Sequence, residues 1–249
     1  MNKDRYWEID TLRSIGLVFI IIFHTVFDLN YFGDHNIYLR GGIWWFLGRT
    51  GAVIFIFLVG LSLTLSYNRK KKEVNDDRLF PKYLKRGLKI FFLGMLITGF
   101  TWLLVRDGFI IFGILHLIGV SVILAYPFLE YRYLNLLPGL LFLILGFVLM
   151  DMYFQFGWLF WLGFRPEGFY TLDYFPLLPW FGLVLIGIFF GNLLYPGYQR
   201  RFEIPDLSDN KIIEGLSFLG RNTLVIYLLH QPVIIAILYS LGLIDLPFL

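Results

Sequence analysis

The sequence predicts an all-α, polytopic transmembrane helical bundle, and three observations lead there. Of 249 residues, 58% are hydrophobic and only 16% are charged, against about 45–50% and about 25% in an ordinary soluble domain. Apolar runs of membrane-crossing length recur along the whole chain. Aromatic residues make up 20% of the sequence, which suits helix ends seated among lipid headgroups. The same composition argues against disorder and against nucleic-acid binding, because apolar side chains dominate and no free basic domain exists. Cysteine is absent, which removes disulfides, thiolate metal sites and cysteine nucleophiles.

Crossing about 30 Å of hydrocarbon takes roughly 20 apolar residues. Seven runs qualify: about 9–29, 43–67, 87–105, 109–126, 134–150, 175–195 and 216–240. They lack the alternation of barrel strands, so helices are expected. Trp158–Phe164 is too short to span and reads as re-entrant or interfacial. The chain is expected to form one domain over residues 1–249, with no internal repeat and no cleaved signal peptide.

Basic residues orient the bundle. The run Arg69–Lys72 is followed by Arg78, Lys82, Lys85, Arg86 and Lys89, and this end is assigned to the cytoplasm. Lys3, Arg5, Arg13, Arg132, Arg200, Arg201, Lys211 and Arg221 then fall on the same side, leaving Arg40, Arg49, Arg106 and Arg165. The N-terminus is expected inside, and the location is a cell membrane spanned several times. Much of the net charge of +3 is thereby a topology signal. The basic loop is also large enough to hold an anion.

Charged groups at a helix centre cost roughly 2.5–3.5 kcal/mol on insertion scales, so each needs a reason. The first run carries Asp10, Arg13, Ser14, His24, Thr25 and Asp28. His24 and Asp28 are spaced i, i+4 and are expected to touch. At 1.5 Å per residue, His24, His116 and His230 fall roughly 20–22 Å above the inner membrane end, and Arg49 falls in the same layer. Four ionisable residues at one depth suggest the lining of a shared cavity. Tyr227 lies one turn from His230 and Gln231, and Pro232 should kink that helix just beyond them. Asp173 precedes Phe175-Pro176-Leu177-Leu178-Pro179-Trp180 and is either the N-cap of the sixth run or a group that binds an acceptor. No metal is expected, because His24/Asp28 is the only close pair of potential ligands. No Gly-x-Ser-x-Gly elbow points to a serine hydrolase.

These residues also carry a resemblance. Ile9-Asp10-Thr11-Leu12-Arg13-Ser14-Ile15, leading to Phe23-His24-Thr25, resembles the opening of the heparan-α-glucosaminide N-acetyltransferase-like family, in its small prokaryotic form. It is also similar to membrane acyltransferases that O-acetylate surface glycans, which share an Arg, ten residues, then a His. Further matches are Phe57-Leu58-Val59-Gly60, Gly113-Ile114-Leu115-His116-Leu117-Ile118-Gly119, the Asp173–Trp180 run and Ile226-Tyr227-Leu228-Leu229-His230-Gln231-Pro232. The resemblance implies transfer of an acetyl group from cytosolic acetyl-CoA to a sugar amine or hydroxyl on the far side of the membrane. A histidine serves there as base or acyl carrier. The glycan O-acyltransferase spacing puts that histidine at His24, and ungapped counting from the Asp-Thr-x-Arg motif of the heparan enzyme puts it at His35, between Asp34 and Asn36.

The resulting expectation divides the labour. Arg13, Lys82, Lys85, Arg86 and Lys89 hold the phosphates of acetyl-CoA. His24 is the base and Asp28 fixes its tautomer. Arg49, His116 or Tyr227 stabilises the developing oxyanion, and Asp173 and Gln231 contact the acceptor. His230 completes the layer. The expected partners are the bilayer, the acyl-CoA donor and a sugar or glycan acceptor, with no nucleic acid; a homodimer is compatible with this reading. Two rivals stand beside it: a transporter or channel using an intramembrane His/Asp/Arg relay, and a non-catalytic membrane subunit.

Overall fold

The computed structural model describes residues 5–33, 35–72, 79–105, 107–131 and 133–246. Lys3, Asp34, Arg78, Arg106 and Arg132 of the preceding argument lie outside the described residues. Among the described residues the chain forms eight α-helices: α1 Trp7–Phe32, α2 Gly42–Lys71, α3 Leu79–Leu104, α4 Ile114–Leu124, α5 Leu136–Leu149, α6 Leu177–Leu194, α7 Lys211–Arg221 and α8 Thr223–Ser240. The apolar runs are thus helical, as their lack of alternation predicts. Five of them, α1, α2, α3, α6 and α8, are long and apolar enough to cross a membrane.

The differences from expectation have local causes. α4 and α5 are apolar but only 11 and 14 residues long. Residues 109–113, expected to begin the fourth run, are instead tied to the segment before α6: the Thr171 hydroxyl donates to the Phe109 carbonyl at 2.7 Å and Phe175 N–H donates to the Phe112 carbonyl at 3.0 Å. The last run divides into α7 and α8 at Asn222. There the Asn222 amide donates to the Phe218 carbonyl at 2.9 Å and the Thr223 hydroxyl to the Gly220 carbonyl at 2.7 Å. Such short polar side chains offer the backbone an alternative to continuing the helix. Pro232 sits inside α8, which continues on both sides of it. Trp158–Phe164 contains one turn of 3₁₀ helix, Phe160–Leu162, between two short parallel strands, β1 Tyr153–Phe154 and β2 Arg165–Pro166.

The chain divides into two compact units, with the boundary inside α2. The first comprises Met1–Phe55 and Ile204–Leu249. In it α1 packs against α7 and α8. The α1–α7 seam is tight. The Ser14 hydroxyl donates to the Leu216 carbonyl, and a Cβ on Gly220 would lie 1.9 Å from the Asp10 carbonyl oxygen. Small residues at such crossings let helix backbones approach closely. At the other end of α1, Ile234, Leu238 and Ile244 pack with Ile21, Leu29 and Phe32.

The second unit is Ile56–Glu203. α3 packs on α4, α5 on α6, and α4 on α6. The second half of α2 crosses α6 at Gly60 and Gly187, each of which faces the other helix's main chain. At its basic end, Tyr67 donates to Glu130 at 2.8 Å, and Lys71 bridges both at 3.2 and 3.1 Å.

Candidate active site

In the first unit, α1 and α8 bring His24 and His230 together, with ring centroids 4.9 Å apart. The hydrogen positions follow from the partners. His24 Nδ1 faces the Ile20 carbonyl at 3.0 Å, and His230 Nδ1 faces the Tyr227 carbonyl at 2.5 Å. A carbonyl oxygen only accepts, so both Nδ1 atoms carry the hydrogen in the neutral rings. His230 Nε2 is then an acceptor, and His24 Nδ1 lies 3.4 Å from it. This leaves the lone pair of His24 Nε2, on a partly exposed residue, as the basic site of the pair. Tyr227 stacks near His230, at 5.0 Å between centroids.

Asp28 departs from expectation. No hydrogen bond joins it to His24. It is fully buried, and its two oxygens accept from Gln231 Nε2 at 2.7 and 2.8 Å. The ring of His24 turns instead toward its own i−4 carbonyl, away from position i+4. Asp28 therefore does not set the tautomer of His24; the Ile20 carbonyl and His230 do. Gln231, expected to contact the acceptor, spends its amide on Asp28, while its Oε1 is buried with no partner.

The other residues of this unit are placed as follows. Arg49 lies on α2, its guanidinium 5.9 Å from the Trp45 ring centroid. Arg13 pairs with the buried Asp10 at 2.5 Å. His35 is exposed, and its Nε2 lies 3.3 Å from the Leu243 carbonyl, to which it donates. That contact ties the loop after α1 to the residues following α8.

In the second unit, His116 has a structural arrangement. It is the third residue of α4, and its Nδ1 accepts from the Gly113 N–H at 3.2 Å. That assigns the hydrogen to Nε2, which lies 3.3 Å from the Thr98 hydroxyl of α3. Both ring nitrogens are occupied and the residue is buried, so the expectation that His116 stabilises an oxyanion is not met by its geometry. The sequence offered no signal for Thr98 as its partner, since the two meet only when α3 packs on α4.

Asp173 is also reassigned. It does not cap α6, whose N-cap position is Pro176. Its Oδ2 accepts from the Ile114 N–H at 3.0 Å, at the first turn of α4. A helix N-terminus leaves donors unpaired, and a carboxylate there satisfies one and complements the helix dipole. Asp173→Ala is expected to remove about 1 kcal/mol. Thermal denaturation should then show a drop of about 2–4 °C, with faster amide exchange at Ile114. Asp173→Asn, which keeps an acceptor, should retain most of the stability. Nearby, the Tyr174 hydroxyl donates to the Phe160 carbonyl at 2.7 Å. Burial pushes this phenol up to about 12 against the opposing charge of Arg165, so the bond persists through the physiological range.

Lys82, Lys85, Arg86 and Lys89 line one exposed stripe at the start of α3. None of the four has an ion pair with a described acidic residue. Among the described residues no three His, Asp or Glu side chains gather as a metal-binding group.

Comparison with known proteins adds one match. The sequence profile of the family described as heparan-alpha-glucosaminide N-acetyltransferase, catalytic, matches residues 5–232. No curated protein and no solved structure matches the chain significantly. The matched region runs from the first described residue through α1, both short helices and the His230-Gln231-Pro232 segment. The chain belongs to the heparan-α-glucosaminide N-acetyltransferase catalytic family, a family of membrane acetyltransferases.

Proposed function

We propose that this protein transfers an acetyl group from cytosolic acetyl-CoA to an amine or hydroxyl of a sugar arriving from the other side of a cell membrane, with His24 as the base. The observation that carries the reading is the contact between His24 and His230, which leaves His24 Nε2 as the unengaged basic nitrogen of the pair.

Acetyl-CoA supplies the acyl group as a thioester, and the protein's side chains do the rest. The α3 stripe of Lys82, Lys85, Arg86 and Lys89 fits the phosphates: it is exposed and cationic, and none of the four pairs with a described acidic residue. Lys contributes point charge there and Arg a bidentate fork. In the first unit, Arg13 is paired with Asp10. His24 Nε2 takes the proton from the acceptor N–H or O–H as that atom bonds to the acyl carbon. The C–S bond breaks, and coenzyme A leaves as the thiol after protonation, so an amine yields an acetamide and a hydroxyl an ester. His230 accepts from His24 Nδ1 and keeps Nε2 available. Tyr227 and Arg49 of the same unit are assigned to the carbonyl oxygen as negative charge develops on it. Asp28 and Gln231 clamp α1 to α8 one turn beyond His24.

Purified protein in nanodiscs, given acetyl-labelled acetyl-CoA and glucosamine or glucose, is expected to release coenzyme A thiol and to yield labelled sugar. Thiol release and sugar labelling both at the protein-free rate overturn the proposal.

A further inference from the structure

Residues 151–170, between α5 and α6, form a surface that neither the helix packing nor the proposed chemistry uses. Tyr153, Trp158 and Tyr170 are 60%, 70% and 61% exposed, and Phe156 stands beside Trp158 with centroids 5.8 Å apart and planes tilted by 37°. This surface is held in shape from beneath. β1 pairs with β2, Phe154 packs edge-on against Phe164 at 4.9 Å, and Tyr174 anchors the Phe160 carbonyl. Main-chain contacts between Leu172 and Gly108 at 2.8 Å and between Phe175 and Phe112 at 3.0 Å put this segment beside the start of α4. It therefore lies at the end of α3 remote from the basic stripe, whose residues stand roughly 22–33 Å from Leu104 along the helix.

We infer that this aromatic surface is where the acceptor glycan docks, and that the glycan is an uncharged or amino-bearing sugar chain rather than a sulfated or otherwise anionic one. The inference rests on the reading that the acceptor is a sugar. A pyranose ring offers C–H groups on its faces and hydroxyls around its edge. The first pack on aromatic faces, and the second need planar polar side chains alongside. Gln155, Asp151 and Glu167 are exposed on the same segment and supply those groups. Acyl chains fit poorly, because the segment is irregular and its exposed carboxylates, Asp151 and Glu167, have no place in hydrocarbon. Charge decides the class of glycan. Among the described residues of 107–113 and 150–172, Asp107, Asp151 and Glu167 are acidic and Arg165 alone is basic. That guanidinium already lies over the Tyr153 ring at 5.4 Å. A surface that recognises sulfate or phosphate gathers Arg and Lys; this one gathers carboxylates.

The test is equilibrium binding to the full chain in nanodiscs, without acetyl-CoA, followed by tryptophan fluorescence and saturation-transfer NMR. The probes are cellotetraose, a glucosamine tetramer and a heparin-derived tetrasaccharide. The first or second is expected to bind and the third is not. Trp158→Ala should weaken binding about tenfold, and Trp158→Phe, which keeps a ring, should recover much of it. Binding of none of the three, stronger binding of the heparin fragment, or unchanged binding by Trp158→Ala overturns the inference. So does quenching of Trp158 fluorescence by lipids brominated along their acyl chains, which assigns the surface to the bilayer. Thiol release from acetyl-CoA in the absence of sugar is measured separately, so loss of glycan binding and loss of acyl chemistry are told apart.

Discussion

His24→Ala is expected to lower acetyl transfer by roughly 10²–10⁴-fold, the range that a positioned general base contributes. The effect should appear in kcat and leave acetyl-CoA binding near its original affinity, because His24 is not among the residues proposed to hold the phosphates. The fold should survive, since His24 is partly exposed and its side-chain hydrogen bonds run to its own i−4 carbonyl and to His230. His230→Ala should have an intermediate effect. It removes the acceptor that faces His24 Nδ1, but the Ile20 carbonyl still holds that hydrogen in place. His35→Ala should leave transfer unchanged, because His35 Nε2 is turned to the Leu243 carbonyl. Rates are read as labelled sugar formed per minute with detergent-purified protein. Full activity in His24→Ala with loss in His35→Ala assigns the base to the loop after α1 and overturns the assignment made from α1 and α8.

Gly60→Ala should cause the largest loss of stability of any single methyl addition in the second unit. The bare propensity argument points the other way, since Ala is favoured over Gly inside a helix by about 1 kcal/mol. Geometry outweighs it. A Cβ on Gly60 would lie 1.9 Å from the Val184 carbonyl oxygen, and one on Gly187 would lie 2.2 Å from the Phe57 carbonyl oxygen. Both neighbours are main chain, so relief requires α2 and α6 to move apart. Overpacking of this kind costs about 1–3 kcal/mol even where side chains give way. A fall in Tm of about 10 °C is therefore expected, at 2–4 °C per kcal/mol for a chain of this size. Gly99→Ala and Gly215→Ala are the controls. A Cβ at either position meets nothing within 4 Å, so propensity alone acts and Tm should hold or rise slightly. Wild-type melting of Gly60→Ala would show that the helices do not cross at this distance.

Much of the fold was legible because desolvation is set by composition. An uninterrupted apolar run has nowhere to go but lipid or a core, and lipid demands that its backbone bonds be made internally. The runs of α1, α2, α3, α6 and α8 followed directly. Where the runs end was less legible. α4 starts late because Thr171 and Phe175, some 60 residues downstream, take the main-chain groups of 109–112. No local pattern near 109 announces that pairing.

The candidate site divides in the same way. Which side chains were costly to bury was plain from their types: His24, Asp28, His116 and His230 each needed a reason to sit in an apolar helix. Which partner each would find was not plain. The i, i+4 rule joined His24 to Asp28, but a ring nitrogen at position i reaches the carbonyl at i−4 equally well, and α8 then delivers a side-chain amide to the carboxylate. From its position Asp173 could be a local cap or an acceptor-binding group, and it is the cap of a helix that precedes it by about 60 residues, because the first turn of α6 begins at prolines and α4 has the open donors.

By itself, then, the sequence determined that this is a helical membrane protein, where its long apolar helices run, and which of their side chains are too polar to be there without cause. It determined these because burying an apolar or a charged group carries a free energy that depends mainly on the group. Only the tertiary structure decided the pairings: His24 with His230, Asp28 with Gln231, His116 with Thr98, and Asp173 with the first turn of α4. A hydrogen bond depends on distance and direction, and those exist only once separate helices have been brought side by side.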